Sequence, residues 1–284
     1  MPYREKTLEE DTRRRLKGAG VRAKKGLGQN FLTDENIRDC IIEAAALTPA
    51  DTVLEVGPGL GVLTERLAAL AGRVVAVELD EVLADRLSSR LSKYGNLQVL
   101  KADILHLDVE KVLGAGRDYK VVANIPYYIT SPILRYFTRN KLKPSLMVIM
   151  MQKEVAQDVA AAPGNWTFLS ASMQLFSRAE IVCKVPAASF HPVPKVDSAV
   201  VKFTMFKQPA IGIEDIDTFL EFLHAGFAAP RKKLRNSLAL GLKIGPEEAE
   251  AMLQKSGIDS QRRPGTLTLD EWGSLFYAAG EEQC

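Results

Sequence analysis

The sequence predicts an α/β fold, a mostly parallel sheet with an antiparallel edge, followed by a small all-helical domain. Three observations carry this expectation. Short apolar runs at 53–56, 74–77, 97–101, 120–123 and 146–151 alternate with helical patterns, and strands separated by helices pair in parallel. The last two runs, 181–185 and 198–206, leave no room for a helix between them, so an antiparallel edge is expected there. Beyond Gln208-Pro209 only helical periodicity remains, through Phe219, Phe222 and Leu223 and past Pro246 and Thr268.

A length of 284 residues suggests about two domains. We divide the chain into a charged arm at 1–23, a Rossmann-like domain at 24–207 and a helical domain at 208–284. Hydrophobic content of 46% and charged content of 25% match an ordinary globular protein. A net charge of +2 provides no global basic field, so any nucleic-acid surface has to be local. Cys40, Cys183 and Cys284 are far apart and form no C-x-x-C pair. That spacing suggests neither a disulfide framework nor a zinc site, and no metal is expected. Runs such as 146–151 are too short to cross a bilayer. The charged N-terminus lacks the apolar stretch of a signal peptide. A soluble, cytoplasmic protein without a membrane partner is the expectation.

Taken in order, residues 4–25 mix Arg13, Arg14, Arg15, Lys17, Arg22, Lys24 and Lys25 with Glu5, Glu9, Glu10 and Asp11. This reads as a solvated helix or loose arm, or else as an arm facing RNA. Next, the stretch from Lys25 through Gly28, Gln29, Asn30 and Leu32 to Asp34 reads as a loop. Asn30 is a capping or turn residue, and Thr33 or Asp34 caps the helix carrying Ile37, Ile41 and Ile42. The first sheet strand then runs into Gly57-Pro58-Gly59-Leu60-Gly61 and a helix through Leu63 and Leu67. Strand, glycine loop and helix make a nucleotide-binding unit. A dinucleotide fingerprint would place a third glycine at Val62, and Glu55 at the strand end would repel a pyrophosphate but suit a cationic ligand. The loop resembles the first motif of S-adenosylmethionine-dependent methyltransferases.

The next strand ends at Glu78-Leu79, 21 residues after Gly57, the spacing of an acid that binds ribose hydroxyls. The third ends near Asp103-Ile104, where a carboxylate could accept from an adenine amino group. Each acid alone could instead be a helix N-cap. The fourth strand runs into Asn124-Ile125-Pro126-Tyr127-Tyr128. There the Asn124 side-chain carbonyl and the Ile125 backbone carbonyl can accept from an exocyclic amine and stabilise its developing positive charge. Pro126 stiffens the turn, and Tyr127 offers a stacking face for a flipped base. The alternative is a proline turn with aromatics packed into the core. A rigid proline loop follows at 190–198, beginning Phe190-His191-Pro192.

Asn124-Ile125-Pro126-Tyr127 is similar to the fourth motif of adenine-N6 methyltransferases. With Gly28-Gln29-Asn30-Phe31-Leu32 and the 190–198 loop, the chain resembles the rRNA adenine N6,N6-dimethyltransferase family over about residues 24–275. The resemblance implies S-adenosylmethionine as cofactor, held around Gln29, Asn30, Leu32, Glu55, Gly57, Gly59, Gly61, Glu78, Leu79, Asp103, Ile104 and Asn124. It implies that Tyr127 and Phe190 sandwich the target adenine. Within the family, Arg231-Lys232-Lys233-Leu234-Arg235 and Arg263-Pro264-Gly265 resemble the housekeeping branch. That branch dimethylates two adjacent adenosines in the 3′-terminal hairpin loop of small-subunit rRNA in immature 30S subunits, and the expectation is a monomer. The alternatives are the macrolide-resistance branch acting on large-subunit rRNA and a non-enzymatic RNA-binding assembly or transcription factor. RNA contacts are expected at Lys24, Lys25, Arg231, Lys232, Lys233 and Arg235, with Arg231 and Arg235 four apart on one helix face. Pro230 and Asn165-Trp166-Thr167 depart from the family's pattern.

Overall fold

The computed structural model describes residues 7–18 and 28–280. Backbone contacts divide the chain into two compact units, one of residues up to Ala156 with Glu180–Met205, the other of Gln157–Ala179 with the chain from Phe206 onward. In the first unit the elements are α1 (Leu8–Gly18), β1 (Phe31–Leu32), α2 (Glu35–Ala45), β2 (Thr52–Val56), α3 (Val62–Leu70), β3 (Arg73–Glu78), α4 (Glu81–Arg90), β4 (Leu97–Lys101), α5 (Val109–Leu113), β5 (Lys120–Asn124), α6 (Thr130–Arg139) and β6 (Leu146–Gln152). Next come α7 (Lys153–Val159), α8 (Phe168–Gln174), β7 (Ser177–Val185), β8 (Phe190–His191) and β9 (Ser198–Met205). The C-terminal helices are α9 (Ile216–Gly226), α10 (Leu234–Leu242), α11 (Pro246–Lys255) and α12 (Leu269–Gly280).

The main sheet has seven strands in the order β4-β3-β2-β5-β6-β9-β7. β2 pairs in parallel with β3 and with β5, and β4 and β6 extend the parallel array. A central parallel strand is covered on both faces, which is why β2 is buried at all five positions. The chain moves outward through β3 and β4, then returns to the other side of β2 for β5 and β6. That reversal opens a crevice at the carboxyl ends of β2 and β5, the place where such sheets bind ligands. β9 runs antiparallel to β6, from Leu146↔Thr204 to Gln152↔Ser198, and β7 lies beside β9 at this edge of the sheet. One face of the sheet packs on α2 and α3, where Ile37, Ile41, Leu63 and Leu67 meet Val53, Val74, Val122, Val148 and Val200.

The sequence treats both 25–34 and 190–198 as loops. Instead, Phe31 pairs with His191 and Leu32 with Phe190 in a two-stranded antiparallel ribbon. The pairing is nonlocal, so neither stretch announces it. Just beyond, Thr33 N–H donates to Ser189 O at 2.8 Å. Asp34, rather than Thr33, caps α2, accepting from Asn36 and Ile37 N–H, while its other oxygen accepts from Ser189 Oγ at 2.9 Å. A second nonlocal approach is that of Cys40 on α2 to Cys183 on β7, with sulfurs 2.6 Å apart. Sequence spacing predicts no cysteine pair, because the fold rather than the chain brings them together.

The helical unit begins earlier than the predicted boundary at 208. Residues 157–179 join it, because the Pro163-Gly164 break is followed by a tryptophan that needs burial. Trp166 is 7% exposed and its Nε1 donates to Ala161 O at 2.8 Å. The N–H groups of Gly164 and Trp166 both donate to Gly265 O. The departure at Asn165-Trp166-Thr167 is therefore a packing feature, and Thr167 caps α8. Trp272 is fully buried against Phe227, ring centroids 5.5 Å apart and stacked.

Asp34 serves as helix cap and as tie to the ribbon, so Asp34→Ala is expected to lower unfolding stability by about 1–2 kcal/mol, the usual range for a lost cap. Urea unfolding followed by circular dichroism checks this; an unchanged midpoint would show that the cap and tie contribute nothing.

Candidate active site

The crevice at the β2/β5 reversal is a cleft of about 1080 Å³, solvent mouth included. Gln29, Asn30, Leu32, Glu55, Gly57, Gly59, Glu78, Leu79, Asp103, Ile104, Asn124, Ile125, Pro126, Tyr127 and Phe190 all line it. Residues read as separate strand-end signals thus share one cavity. Its floor is the loop after β2, where Gly57 N–H donates to Val77 O at 3.0 Å and Gly59 N–H to Glu78 Oε2 at 2.9 Å. Gly59 has φ +55, and a Cβ there would lie 3.2 Å from the Phe31 ring. Glycine is therefore required both by conformation and by space.

Gly61 is a correction. It does not line the cleft but stands at the N-cap of α3 with φ +72, and a Cβ would collide with Leu87 and the Arg90 guanidinium. Its left-handed backbone favours glycine at this N-cap.

The acids divide by environment. Asp103 follows β4 and caps a short helix, accepting from Leu105 N–H at 2.9 Å, and it also lines the cleft. Glu78 ends β3. Its Oε1 accepts from Asp80 N–H at 2.9 Å, and burial raises its pKa. Glu55 is 1% exposed, and desolvation pushes its pKa up to about 8. Its Oε2 is buried with no hydrogen-bond partner among the described residues. The sequence treats Glu55 as a ready carboxylate, but its burial favours the neutral acid, because charge is costly in that surrounding. A buried, unsatisfied acid lining a glycine-floored cleft fits a ligand that carries a positive group and a diol, and S-adenosylmethionine has both.

Other side chains are prepositioned. Gln29 Nε2 donates to Asp80 Oδ2 at 3.2 Å, and Asn30 Nδ2 donates back to Gly28 O at 3.2 Å, which makes Asn30 a turn residue. Phe190 is 3% exposed and held in the ribbon opposite Leu32. Tyr127 sits in the single helical turn after Pro126. Its hydroxyl lies 2.8 Å from Ser198 Oγ, which tethers the end of a side chain that lines the cleft.

The sequence reading missed the docking of α1. Thr12 is fully buried and its hydroxyl reaches Leu32 O at 3.5 Å. Arg15 Nη1 donates to Leu60 O at 3.0 Å, and Arg90 Nη2 donates to the same carbonyl at 2.6 Å. Leu16 packs with Phe31, Leu60 and Leu83. The charged arm thus holds the glycine loop from behind, rather than being solvated throughout. Leu8, Thr12 and Leu16, four apart, were the available signal. Lys24 and Lys25 lie outside the described residues.

In the helical unit, Arg231, Lys232 and Lys233 are exposed, but α10 starts only at Leu234, with Lys233 as its N-cap. Arg231 and Arg235 therefore do not share a helix face. The turn closed by Lys232 N–H on Ala229 O delays the helix, and Arg235 points toward Glu250 at 3.4 Å.

Comparison with known proteins agrees with this geometry. The family model for ribosomal RNA adenine dimethylase matches residues 20–279. A ribosomal RNA small subunit methyltransferase A from Dehalococcoides mccartyi is 44% identical over 95% of this chain and 92% of its own. Another of that name from Pelotomaculum thermopropionicum is 43% identical over 92% of this chain and 94% of its own. Among solved structures, a dimethyladenosine transferase from Plasmodium falciparum superposes with a TM-score of 0.75 at 25% identity, covering 89% of this chain and 98% of that one. The 23S rRNA methyltransferase ErmE superposes with a TM-score of 0.69 at 29% identity, covering 88% and 99%.

The raised pKa of Glu55 sets a pH dependence. The folded state holds a proton that the unfolded state releases above about pH 4.3, so this contribution to stability is fully present below that pH. It is lost as pH rises through about 8. The urea midpoint of the ligand-free protein is expected to fall between pH 5 and 8, and Glu55→Gln to flatten that fall. A Glu55→Gln profile parallel to wild type would show that Glu55 ionises normally.

Proposed function

The chain belongs to the ribosomal RNA adenine dimethylase family, and from that premise we propose how its cleft dimethylates the N6 amines of two adjacent adenosines in the 3′-terminal hairpin loop of 16S rRNA. The observation that carries this reading is that Asn124-Ile125-Pro126-Tyr127 opens into the same cleft as the glycine loop and the acids Glu55, Glu78 and Asp103. The small-subunit substrate rests on the names of the relatives at 43–44% identity.

S-adenosylmethionine, when bound, supplies a methyl group activated by sulfonium charge. Glu78 would accept from the ribose hydroxyls of the cofactor and Asp103 from its adenine amino group, and Glu55 would offset its positive charge. The target adenine enters between Tyr127 and Phe190, where stacking contributes about 1–3 kcal/mol per base. The Asn124 side-chain carbonyl and the Ile125 backbone carbonyl accept from the N6 hydrogens. These acceptors favour the pyramidal amine and stabilise the charge that develops as it attacks. No strong base is required, since the proton leaves to water after transfer. The same residues serve each transfer, so one chain suffices and a monomer acting on immature 30S subunits is the simplest arrangement.

RNA is gripped outside the cleft. Arg231, Lys232 and Lys233 crowd the positive end of α10, where cations are disfavoured, and phosphates relieve that repulsion. Such contacts position RNA without reading its sequence.

Two measurements test the reading. Undermethylated small- and large-subunit particles are incubated with labelled cofactor and the methylated adenosines are mapped. Adjacent N6,N6-dimethyladenosines on the small-subunit RNA alone are expected; methylation of large-subunit RNA alone would assign the chain to the other branch. Asn124→Ala is expected to cut turnover about 100- to 1000-fold, as loss of one charge-stabilising group does, with cofactor affinity within a few-fold. Separately, Arg231→Ala/Lys232→Ala/Lys233→Ala should lower the salt slope of particle binding by about 1 for each phosphate that these side chains no longer neutralise. An unchanged slope would return this run to ordinary solvated surface.

A further inference from the structure

We propose that Cys40 and Cys183 form an oxidative modification site, a thiol pair that a peroxide closes to an intramolecular disulfide. The two sulfurs are 2.6 Å apart, against about 2.0 Å in a formed disulfide. Both thiols are free and half-buried, so a small oxidant reaches them while the backbone around them stays packed.

The pair belongs to a series of ties between the same two segments. Segment 31–45 and segment 183–191 are joined by the ladder of Leu32 with Phe190, by Thr33 N–H on Ser189 O and by Ser189 Oγ on Asp34. Ile41 and Ile42 beside Cys40 are buried, and Cys183 packs on the same core. The cross-link therefore needs no search by the chain, although the cysteines are 143 residues apart in sequence. Neither cysteine lines the cleft, so the bond forms without displacing a residue of the site.

The chemistry balances with one peroxide per pair. Burial pushes the Cys183 thiol pKa up; either sulfur can meet the oxidant first, and the steps balance in the same way with Cys40 as the first. The Cys40 thiolate attacks one peroxide oxygen and the O–O bond breaks. With the proton from its own ionisation this gives a Cys40 sulfenic acid and one water. Cys183 sulfur then attacks the Cys40 sulfur. The S–O bond breaks, and hydroxide leaves with the Cys183 proton as a second water. Both sulfurs are oxidised and both peroxide oxygens are reduced to water. A disulfide spanning so long a loop constrains the unfolded chain strongly, so the oxidised protein should be the more stable form with an unchanged cleft.

The experiment treats the full chain with hydrogen peroxide, blocks remaining thiols with iodoacetamide and digests it without reduction. The expected result is a monomer lighter by two hydrogen atoms before alkylation, a linked pair of peptides carrying Cys40 and Cys183, and a single alkylated thiol at Cys284. The melting temperature should rise relative to the dithiothreitol-treated protein, and S-adenosylmethionine affinity should agree within twofold. Cys40→Ser and Cys183→Ser should abolish the mass change and the stabilisation, whereas Cys284→Ser should keep both. Recovery of Cys40 and Cys183 both alkylated, a Cys40 sulfinic acid without a cross-link, or dimers through Cys284 would each overturn the proposal. Should a serine variant fail to fold, the peptide map of the wild-type chain decides alone.

Discussion

The parallel pairing of β2 on both of its sides is the constraint on which the active site depends. A strand covered by β3 and β5 along its edges and by helices on its faces is buried throughout. Its backbone can leave the sheet only at its carboxyl end. Because the chain reverses its strand order there, the ends of β2, β3, β4 and β5 are presented together. Glu55, Glu78, Asp103 and Asn124 come from four strands, yet they line one cleft. Glycine in the following turn then lets the backbone become the floor of the cleft rather than an obstacle within it.

Placing acids in such a cleft is costly, and the cost is handled differently at each. Asp103 keeps a partner in Leu105 N–H at the start of a short helical turn. Glu78 is stabilised by the N–H groups of Gly59 and Asp80, which only partly offset its burial. Glu55 has no such donors for its inner oxygen and stays protonated. A cationic ligand changes that balance, since its charge favours the carboxylate over the acid. One acid of the cleft is thus left with a buried oxygen that has no partner among the described residues, the kind of group that asks for an explanation.

Around this centre, two nonlocal supports hold the loops. The β1–β8 ribbon joins the stretch carrying Asn30 and Leu32 to the stretch carrying Phe190, so cleft residues far apart in sequence are tied by backbone pairing. α1 closes the back of the glycine loop through Leu60, whose carbonyl takes two arginines. Both supports tie together positions far apart in sequence, which is a way to keep reacting groups in register while the cleft admits a large substrate.

The sequence by itself determined the alternation of strands and helices, the glycine turn, the antiparallel return and the identity of nearly every cleft residue. These are legible because periodicity, glycine placement and strand-end acids are local properties of the chain. Legible too was the Asn124–Tyr127 turn, since proline and asparagine act over a few residues. Only the tertiary structure decided the rest. Gly61 has the tips of the Leu87 and Arg90 side chains beside it, and the Glu55 pKa is raised because the fold desolvates it. Trp166 draws residues 157–179 into the helical unit, the turn at 229–232 separates Arg231 from Arg235, and the charged arm docks by one apolar stripe. Cys40 meets Cys183 across 143 residues. Each of these depends on what a distant segment places beside a residue, and burial, charge state and contact between distant segments are written in three dimensions rather than in local pattern.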